Sequence, residues 1–451
     1  MKTLDQIAAD LQGYDPQAMT CDDVLSFLTQ LITPVRETLE LALFAALGKV
    51  LAQDVVSPLD VPPHDNSAMD GYAFAGHQLT DTGAQLALQV VGTAWAGKAW
   101  TGVVLTGQCV KIMTGAILPM GLDTVVPQEL VERVDNFIRI PAGRVAAGDN
   151  RRLCGEDLAR GKPALQKGEL LTPARLGLAA SLGLKTLTVW RPLRVAYFST
   201  GDEILSLGEK PREGAVYDSN RYTVFGLLTR LGCAVIDMGV VCDDPVLLEA
   251  AFVDAAERAD VIITSGGVSV GEADFTKVLM KKLGDVAFWR IAMRPGRPMA
   301  VGRIFRAKNA SSAQGESVSS YENSSASQYR DADDGAVVFG LPGNPVAVMV
   351  TFLAFVRPAL LQMMGANPSS PPLLQAKSTE AIRKMPGRTE YQRAWVSTDA
   401  QGGLQVRTTG HQGSGVLRSM AQANGLLVLN HTQGNVAVGD NVSVMMFDGV
   451  I

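Results

Sequence analysis

The glycine-rich stretch from Thr264 to Asp274 has the residue types of a site for a phosphorylated ligand. A buried β-branched run, Asp260–Ile263, precedes it, and the segment Phe275–Met280 with helical apolar spacing follows. A strand that passes through glycines into a helix exposes backbone N–H groups, which bind anions such as phosphate. Asp274 at the helix start could cap the helix or hold a hard cation beside the anion. Taken alone, the stretch is equally typical of an ordinary strand–helix turn.

Three other predicted strand ends carry ligand-type residues. They are Ser199-Thr200-Gly201-Asp202-Glu203, Asp243-Asp244 before Pro245, and Gly340-Leu341-Pro342-Gly343-Asn344-Pro345. For one of the two aspartates before Pro245, we expect only a helix N-cap. Two glycine-rich turns with acids at neighbouring strand ends imply a phosphorylated ligand with a divalent cation, because carboxylates alone would repel phosphate. The sequence has no Walker lysine motif, which argues against ordinary NTP hydrolysis.

A basic turn, Arg294-Pro295-Gly296-Arg297-Pro298, has the residues to bind a second oxyanion. The guanidinium fork binds two oxygens at once. On this segment alone, a surface turn with solvated charges is the favoured interpretation. Arg388, Arg393 and Ser414 could add ligands. None of the four histidines is paired at metal-ligand spacing, and no Ser or Cys stands in a recognisable triad context.

The elements that must position these residues alternate between strand and helix from Leu193 onward. The predicted order is strand Arg194–Phe198, helix Asn220–Leu231, strand Ala234–Val241, helix Pro245–Ala259, strand Asp260–Thr264, helix Phe275–Leu283, strand Val337–Leu341 and helix Pro345–Met364. This pattern predicts a doubly wound α/β domain. Such sheets bind ligands beyond the carboxyl ends of their strands, where the motifs fall.

The rest of the chain is predicted to form smaller units. Residues 1–20 are expected to be loosely ordered, and apolar spacing predicts two helices between Cys21 and Leu51, the second ending at Gly48. Short strands are expected over Gln85–Ile140 and from Leu373 onward, and a helix over Thr172–Leu182 with Thr172 as its cap. The polar, serine-rich stretch of about 307–335 is predicted to be a disordered insert.

Composition places limits on the partners. The chain is 47% hydrophobic and 19% charged, which is typical of a globular protein, and its 451 residues predict two to four domains. Its net charge of −5 argues against nucleic acid as the main partner. Five scattered cysteines form no CxxC pair, and no signal-peptide core or clean membrane span is evident. We therefore expect a cytoplasmic protein that does not bind membranes.

Taken together, the motifs resemble those of the MoeA family, the molybdopterin molybdenumtransferases, which include the gephyrin E domain. The matching segments are Asp65-Asn66-Ser67-Ala68-Met69-Asp70-Gly71-Tyr72-Ala73, Met113-Thr114-Gly115-Ala116, Gly155-Glu156-Asp157, Ser199–Glu203, Ser265–Asp274, Arg294–Pro298 and Leu341–Pro345. They occur in family order between about residues 20 and 450. As a set they are highly specific.

The resemblance implies a multi-domain homodimer of α/β plus β class. A central doubly wound α/β molybdopterin-binding domain would span 193–365, with small β domains at 63–140 and 371–451. A helical and extended linker and dimerisation domain would comprise 20–62 and 141–192. The family reaction inserts molybdate into adenylylated molybdopterin and releases AMP with Mg²⁺. Other cofactor-biosynthesis enzymes and apo-molybdoenzymes are further partners that the resemblance suggests.

The resemblance also assigns roles to residues. It implies that Asp65, Thr114, Asp157, Glu203, Asp243 and Asp274 are catalytic, and that Glu203, Asp243 (or Asp244) and Asp274 bind the metal. It implies that substrate is bound by Ser199, Thr200, Gly201, Ser265, Gly266, Gly267, Ser269, Gly271, Pro342, Gly343 and Asn344, and molybdate by Arg294, Arg297, Pro298, Arg388 and Ser414.

Two other functions remain open at the level of sequence. One is a scaffold or partner-binding paralogue that kept the fold and lost catalysis, although the acids Asp65, Glu203 and Asp274 argue for chemistry. The other is a pterin adenylyltransferase, which would not need the flanking β domains. The family usually has lysines where Arg294 and Arg297 stand, so the positive charge is kept while the geometry differs. The choice between molybdate and tungstate therefore stays open.

Overall fold

The computed structural model describes residues 2–79, 84–267, 275–306, 335–367 and 370–449. The chain divides into two compact units. The first unit contains Met1–Leu39, Gly48–Val50 and Trp190–Ile451, and the second contains Glu40–Leu47 and Leu51–Val189. The predicted insert at about 307–335 lies outside the described residues except for its last residue, Gly335, which begins a strand.

The described residues form ten α-helices and 26 strands. The helices are α1 Leu4–Asp10, α2 Cys21–Leu31, α3 Leu43–Ala46, α4 Pro173–Ser181, α5 Ser219–Arg230, α6 Pro245–Arg258, α7 Phe275–Leu283, α8 Pro345–Thr351, α9 Arg357–Met363 and α10 Leu417–Ala421. The strands are β1 Thr38–Ala42, β2 Val55–Val56, β3 Asn66–Ser67, β4 Gly71–Phe74, β5 Leu86–Ala94, β6 Gln108–Ile112, β7 Thr124–Pro127, β8 Glu132–Val134, β9 Phe137–Ile140, β10 Arg151–Arg152, β11 Pro163–Leu165, β12 Thr186–Trp190, β13 Arg194–Thr200, β14 Ile204–Leu205, β15 Val216–Tyr217, β16 Ala234–Val241, β17 Val261–Ser265, β18 Gly284–Arg290, β19 Met293–Arg294, β20 Pro298–Phe305, β21 Gly335–Leu341, β22 Leu374–Ser378, β23 Thr389–Thr398, β24 Leu404–Thr408, β25 Gly425–Leu429 and β26 Asn441–Met446.

The first unit is built on a six-stranded sheet of order β16-β13-β17-β21-β20-β18. The first four strands are parallel, and β20 and β18 extend the sheet antiparallel. Successive residues of β13 point to opposite faces, so that Tyr197 joins the core beside α5 and Phe198 joins the core beside α6. This arrangement confirms the doubly wound α/β domain. The antiparallel pair β18–β20 is an addition that the sequence analysis did not predict.

The predicted helix Pro345–Met364 is present and includes a π-helical turn at Phe352–Val356. The segment Pro345–Met363 is long and apolar enough to cross a membrane. However, 72% of its apolar window is buried inside the fold, where Val346, Val350 and Phe355 contribute to the larger core. It is therefore the central core helix of the first unit.

The C-terminal part of the first unit is a closed barrel. Its strand order is β19-β23-β24-β22-β26-β25, and an additional pairing of β23 with β25 closes the barrel. A separate hydrophobic core containing Ala394, Val406 and Leu427 fills its interior. One strand, β19, comes from the sequence range of the α/β domain and pairs in parallel with β23.

The second unit contains a six-stranded sheet of order β7-β4-β6-β5-β9-β8, as the short alternating strands predicted. Alternate residues of β4 contribute to separate cores on its two faces, Tyr72 to one and Ala73 to the other. Helix α4 begins as predicted, with the Thr172 side chain accepting a hydrogen bond from Arg175 N–H and proline at the first helical position.

Two predictions for the N-terminal region were wrong. Residues 1–20 contain an ordered helix, α1, whose start is fixed by a capping box between Thr3 and Gln6. The expected second helix before Gly48 is instead strand β1 followed by the four-residue α3. The sequence Thr38-Leu39-Glu40-Leu41-Ala42 alternates with a period of two, but Leu39 also matches helical spacing with Leu43 and Leu47, which explains the error. Helix α2 forms as predicted and packs into the core of the first unit.

Candidate functional site

A cleft of about 1150 Å³ opens in the first unit at the carboxyl ends of β13, β17 and β21. It collects residues that the sequence analysis singled out from distant parts of the chain. Those that line it are Ser199, Thr200, Gly201, Glu203, Asp243, Ser265, Gly266, Gly267, Arg294, Arg297, Pro298, Pro342, Gly343, Asn344, Arg388 and Ser414. Ser269, Gly271 and Asp274 lie outside the described residues.

Two serines that line this cleft, Ser199 and Ser265, share a cluster of three hydroxyl groups with the buried Tyr197. The Tyr197 hydroxyl lies 2.9 Å from Ser199 Oγ and 2.7 Å from Ser265 Oγ, and the two serine oxygens are 3.1 Å apart. The parallel register of β13 and β17, which places Ser199 opposite Ser265, creates this triangle. Burial raises the pKa of Tyr197 well above its ordinary value, so the phenol stays protonated and remains a hydrogen-bond donor.

The glycine-rich turns allow the backbone segments to approach each other closely. Gly266 has a φ of +94°, and a Cβ at this position would lie 2.4 Å from the carbonyl oxygen of Thr200. A Cβ on Gly343 would lie 4.0 Å from Gly266 Cα, so the two turns are adjacent. Only glycine combines this backbone conformation with this separation. The N–H of Gly266 donates to the Leu341 carbonyl at 3.2 Å and so joins the two turns.

Two acidic residues in the cleft have exposed carboxylates, Glu203 and Asp243. Asp243 accepts a hydrogen bond from the hydroxyl of Thr200, and its own N–H donates to Asp202 Oδ1 at 3.2 Å. Its neighbour Asp244 instead caps α6, with Oδ1 accepting from Val246 N–H at 2.9 Å and Leu247 N–H at 3.0 Å. As the sequence predicted, one aspartate of this pair is an N-cap, and the other faces the cleft.

The donor set of the cleft is compatible with a hard cation. Glu203 and Asp243 supply carboxylate oxygens, which Mg²⁺ prefers, and Asp202 lies beside Asp243. Among the described residues, no group of three or more His, Cys, Asp or Glu side chains could hold a metal ion. The third predicted ligand, Asp274, belongs to the segment 268–274, which is not described. The metal site thus stays a prediction.

The cleft also has a basic wall, formed by arginines from both the α/β domain and the barrel. Arg294 lies on β19, which pairs with β23 of the barrel, and Arg297 accepts at its carbonyl oxygen a hydrogen bond of 2.7 Å from Ile291 N–H. Arg388 Nε contacts the buried carboxylate of Glu390 at 3.1 Å. The side chains of Arg294 and Arg297 are exposed in the cleft rather than on an unrelated surface turn. This wall has the charge required to bind an oxyanion.

Arg393, which we considered as a ligand, has a different position. Its side chain is fully buried and donates to Ser419 Oγ at 3.0 Å, to the Gly413 carbonyl at 2.9 Å and to the His411 carbonyl at 3.3 Å. Burial, together with the charge of Arg294, lowers the pKa of Arg393 to about 10. Arg393 therefore supports from behind the loop that brings Ser414 to the cleft.

The predicted catalytic residues Asp65, Thr114 and Asp157 belong to the second unit. Asp65 Oδ1 accepts from Cys154 N–H at 2.7 Å, and Oδ2 accepts from Arg151 Nε at 2.9 Å. The bond from Cys154, followed by the Arg151 guanidinium, holds the pKa of Asp65 below its ordinary value.

In the same unit, the backbone N–H and the hydroxyl of Thr114 each donate to Asp70 Oδ1 at 2.7 Å. The Asp157 N–H donates to the Val61 carbonyl at 3.1 Å. The three motif segments are thus connected to one loop region, residues 61–71.

The structure also identifies residues that the sequence analysis missed. Asp218 and Asn220 line the cleft and are almost completely buried, and Arg151 and Asp70 hold the motif segments of the second unit. Asp218 precedes a helical pattern, where an aspartate is usually interpreted as a cap. Nothing in the local sequence distinguishes it from an ordinary cap.

Comparison with known proteins gives matches along almost the whole chain. Residues 19–183 match the MoeA N-terminal region (domain I and II), 196–362 a probable molybdopterin binding domain, and 375–447 the MoeA C-terminal region (domain IV). The chain is 36% identical over 438 residues to a molybdopterin molybdenumtransferase of Haemophilus influenzae, covering 96% of this chain and 100% of that protein. It is 29% identical to a gephyrin of Dictyostelium discoideum, covering 94% of this chain and 62% of that protein. A crystal structure of the molybdopterin biosynthesis moeA protein from Pyrococcus horikoshii superposes with a TM-score of 0.76 at 25% identity, covering 95% of this chain and 100% of that one.

Proposed function

Since the chain belongs to the MoeA family and is a molybdopterin molybdenumtransferase of molybdenum cofactor biosynthesis, we propose that its substrates are adenylylated molybdopterin and molybdate. In this reaction, molybdenum is inserted at the dithiolene sulfurs of the pterin and AMP is released with the help of Mg²⁺. We further propose that the enzyme works as a cytoplasmic homodimer. Other cofactor-biosynthesis enzymes would supply its substrate, and apo-molybdoenzymes would receive its product.

One observation carries this proposal, namely that a single cleft contains two different kinds of anion site. Glycine-rich turns at Gly266 and Gly343 line this cleft, and so do the basic residues Arg294, Arg297 and Arg388. A reaction between a nucleotide-linked pterin and an oxyanion requires both to be held together in the correct orientation. A nucleotide-binding site alone would not require the basic wall.

The residues of the cleft have separate tasks in the proposed reaction. Backbone N–H groups of the glycine-rich turns bind phosphate oxygens, and the arginine side chains bind and orient molybdate. Glu203, Asp243 and Asp274 would hold Mg²⁺, which supplies charge neutralisation at the phosphate when bound. The Thr200 hydroxyl, by donating to Asp243, orients that carboxylate. Asp65, Thr114 and Asp157 remain predicted catalytic residues on the strength of the resemblance.

The decisive experiment is a turnover assay with purified protein, adenylylated molybdopterin, Mg²⁺ and molybdate that follows AMP release. Asp243→Asn should reduce the rate by about 100-fold or more, because it removes a charge from the proposed metal site. Asp244→Asn is the matched control, since asparagine also caps helices and the side chain of Asp244 is committed to α6. Equal rates for both variants would contradict the assigned role of Asp243.

The match to gephyrin gives a second candidate, a scaffold that binds partners and lacks catalysis. Such a protein would bind the pterin nucleotide without releasing AMP at any molybdate concentration. The same assay separates the two functions, since only the transferase shows AMP release that depends on molybdate. Absence of binding would contradict both.

A further inference from the structure

A buried carboxylate, that of Glu390 on β23, contacts the basic wall of the cleft. The residue is only 2% exposed, and both of its carboxylate oxygens have partners. Oε1 accepts from Arg388 Nε at 3.1 Å, and Oε2 accepts from Gln392 Nε2 at 3.0 Å. Gln392 is itself only 8% exposed, so it holds the carboxylate from inside the protein. Glu390 therefore has a fixed orientation, and its ionic partner is an arginine of the cleft.

Arg388 needs such a partner because it has open space on two sides. It lines the cleft and also a second cavity of about 420 Å³, and its side chain is 43% exposed. A long side chain with several rotatable bonds has many orientations available in such a place. Among the described residues, the guanidinium makes one hydrogen bond, the bond to Glu390. This bond selects one orientation from the available set.

The position of this bond on the guanidinium also matters. A guanidinium has five N–H donors, one on Nε and four on its two NH2 groups. Glu390 accepts from Nε, so the NH2 groups of Arg388 are left for a ligand. Together, these groups form the fork that binds two oxygens of an oxyanion at once.

Glu390 is also next to a second arginine of the cleft. In the parallel pairing of β19 with β23, Arg294 is the direct neighbour of Glu390. Side chains of neighbouring residues on paired strands lie on the same face of the sheet. By its charge alone, a carboxylate beside two oxyanion-binding arginines would repel the oxyanion. Its presence at this position therefore requires a different reason.

A purely structural reason is available in Lys384. This lysine is only 3% exposed, and its Nζ donates to the carbonyl oxygens of Gln433 at 2.8 Å and Met385 at 3.3 Å. Burial lowers the pKa of Lys384, and the charge of Glu390 acts in the opposite direction. Glu390 could thus serve only to compensate a buried ammonium group. In that case, its contact with Arg388 would have no effect on ligand binding.

We propose that Glu390 is a positioning residue of the oxyanion site, which keeps the NH2 groups of Arg388 directed into the cleft. The proposal rests on the proposed binding of molybdate by Arg388 and adds the residue on which that binding depends. Charge and positioning predict effects of opposite sign. If Glu390 acted by charge alone, its removal would strengthen molybdate binding. If it positions Arg388, its removal weakens molybdate binding.

The test is a double-mutant cycle of Arg388→Met and Glu390→Met, with molybdate binding to the purified full chain measured by calorimetry. In the wild-type background, Glu390→Met should weaken binding about tenfold, or about 1.4 kcal/mol. In the Arg388→Met background, the same change should have almost no effect, because the residue through which Glu390 acts is absent. Glu380→Met is the matched control. Glu380 accepts from Thr408 N–H at 2.6 Å, and its removal should leave molybdate binding unchanged.

AMP binding to the same proteins separates positioning from damage to the cleft. The affinity for AMP should be unchanged in every variant, whereas a distorted cleft would bind both ligands more weakly. If circular dichroism shows that Glu390→Met does not fold, Glu390→Gln replaces it in the cycle. Its loss of molybdate affinity should be smaller and of the same sign, since an amide oxygen can still accept from Arg388.

Three results would overturn the positioning role. They are tighter molybdate binding without the Glu390 carboxylate, an equal loss in both backgrounds, and a parallel loss of AMP binding. A wild type that binds molybdate but shows one of these results leaves the proposed function intact. A wild type that binds no molybdate refutes the proposed oxyanion site and this inference with it. Coupling between the two residues without AMP release refutes only the proposed reaction.

Discussion

In the motif loop of the second unit, both carboxylate oxygens of Asp65 accept hydrogen bonds from the protein itself, through Cys154 and Arg151. In the cleft of the first unit, Asp218 and Asn220 each keep one buried oxygen without a partner among the described residues. The two regions use similar polar residues beside irregular loops. In the loop, the hydrogen-bonding capacity of the acid is used by the protein; in the cleft, part of this capacity is left unused by the described residues. Substitutions should therefore separate effects on stability from effects on binding.

The largest expected effect is that of Gly266→Ala in the cleft. Its new Cβ would meet the Thr200 carbonyl oxygen at 2.4 Å, with φ at +94°, so stability should fall by about 3 kcal/mol. Gly208→Ala is the matched control, since Gly208 has a φ of +92° and no heavy atom within 4 Å of the added Cβ. It should cost only about 1 kcal/mol. If urea unfolding gave the same loss of stability for Gly266→Ala and Gly208→Ala, the contact between Gly266 and the Thr200 carbonyl would not contribute to the cost.

Arg393→Met tests whether a buried residue beside the cleft stabilises the protein in the same way as the hydrogen-bonded side chains of the motif loop. The change removes hydrogen bonds to Ser419, Gly413 and His411, and we expect a loss of about 2 kcal/mol in unfolding free energy. Molybdate affinity should weaken as well, because the loop carrying Ser414 loses its support. Unchanged stability would mean that relief from burying this charge offsets the lost bonds.

Arg151→Met in the motif loop should have a smaller effect, about 1 kcal/mol, because the ion pair with Asp65 is partly exposed to solvent. The depressed pKa of Asp65 makes its contribution pH-dependent. The contribution is complete above the ordinary aspartate value of 3.8 and is lost as pH falls through the lower, folded-state pKa.

Unfolding measured between pH 6 and 3 should thus show a weaker acid dependence in Arg151→Met than in the wild type. Some dependence should persist, since the hydrogen bond from Cys154, the largest cause of the shift, remains. Asp65→Asn should remove the dependence due to this group. An acid profile identical in all three proteins would show that Asp65 does not stabilise the loop.

The smallest expected effect is that of Arg294→Lys in the cleft. The positive charge is kept and only the fork geometry is lost, so the apparent affinity for molybdate should change by a few-fold, with stability unaffected. Comparison of molybdate and tungstate with both proteins would show whether the guanidinium contributes to selectivity. A loss as large as that of an Arg294→Ala variant would mean that geometry, rather than charge, determines oxyanion binding.

Local patterns were sufficient to predict much of the fold and many residues of the cleft. Helix α7 and strand β16 have the predicted bounds, because apolar periodicity and flanking turn residues define them within a short window. The burial of Arg393 depends on carbonyl groups about 20 residues away along the chain, and the Asn220 amide donates to the carbonyl oxygen of Gly343, 123 residues away. Such partners are determined by tertiary packing, which periodicity does not encode.

The pairing of β19 with β23 has a consequence for how this protein can change over evolutionary time. Arg294 is encoded with the α/β domain, yet its strand is hydrogen-bonded to the barrel, opposite Glu390. The two strands are joined by backbone hydrogen bonds, which depend little on the identity of the side chains. The residues of both strands can therefore be substituted while the pairing persists. Recombination that exchanged the barrel for an unrelated domain would remove the support of the arginine turn. The two domains are therefore expected to be inherited together.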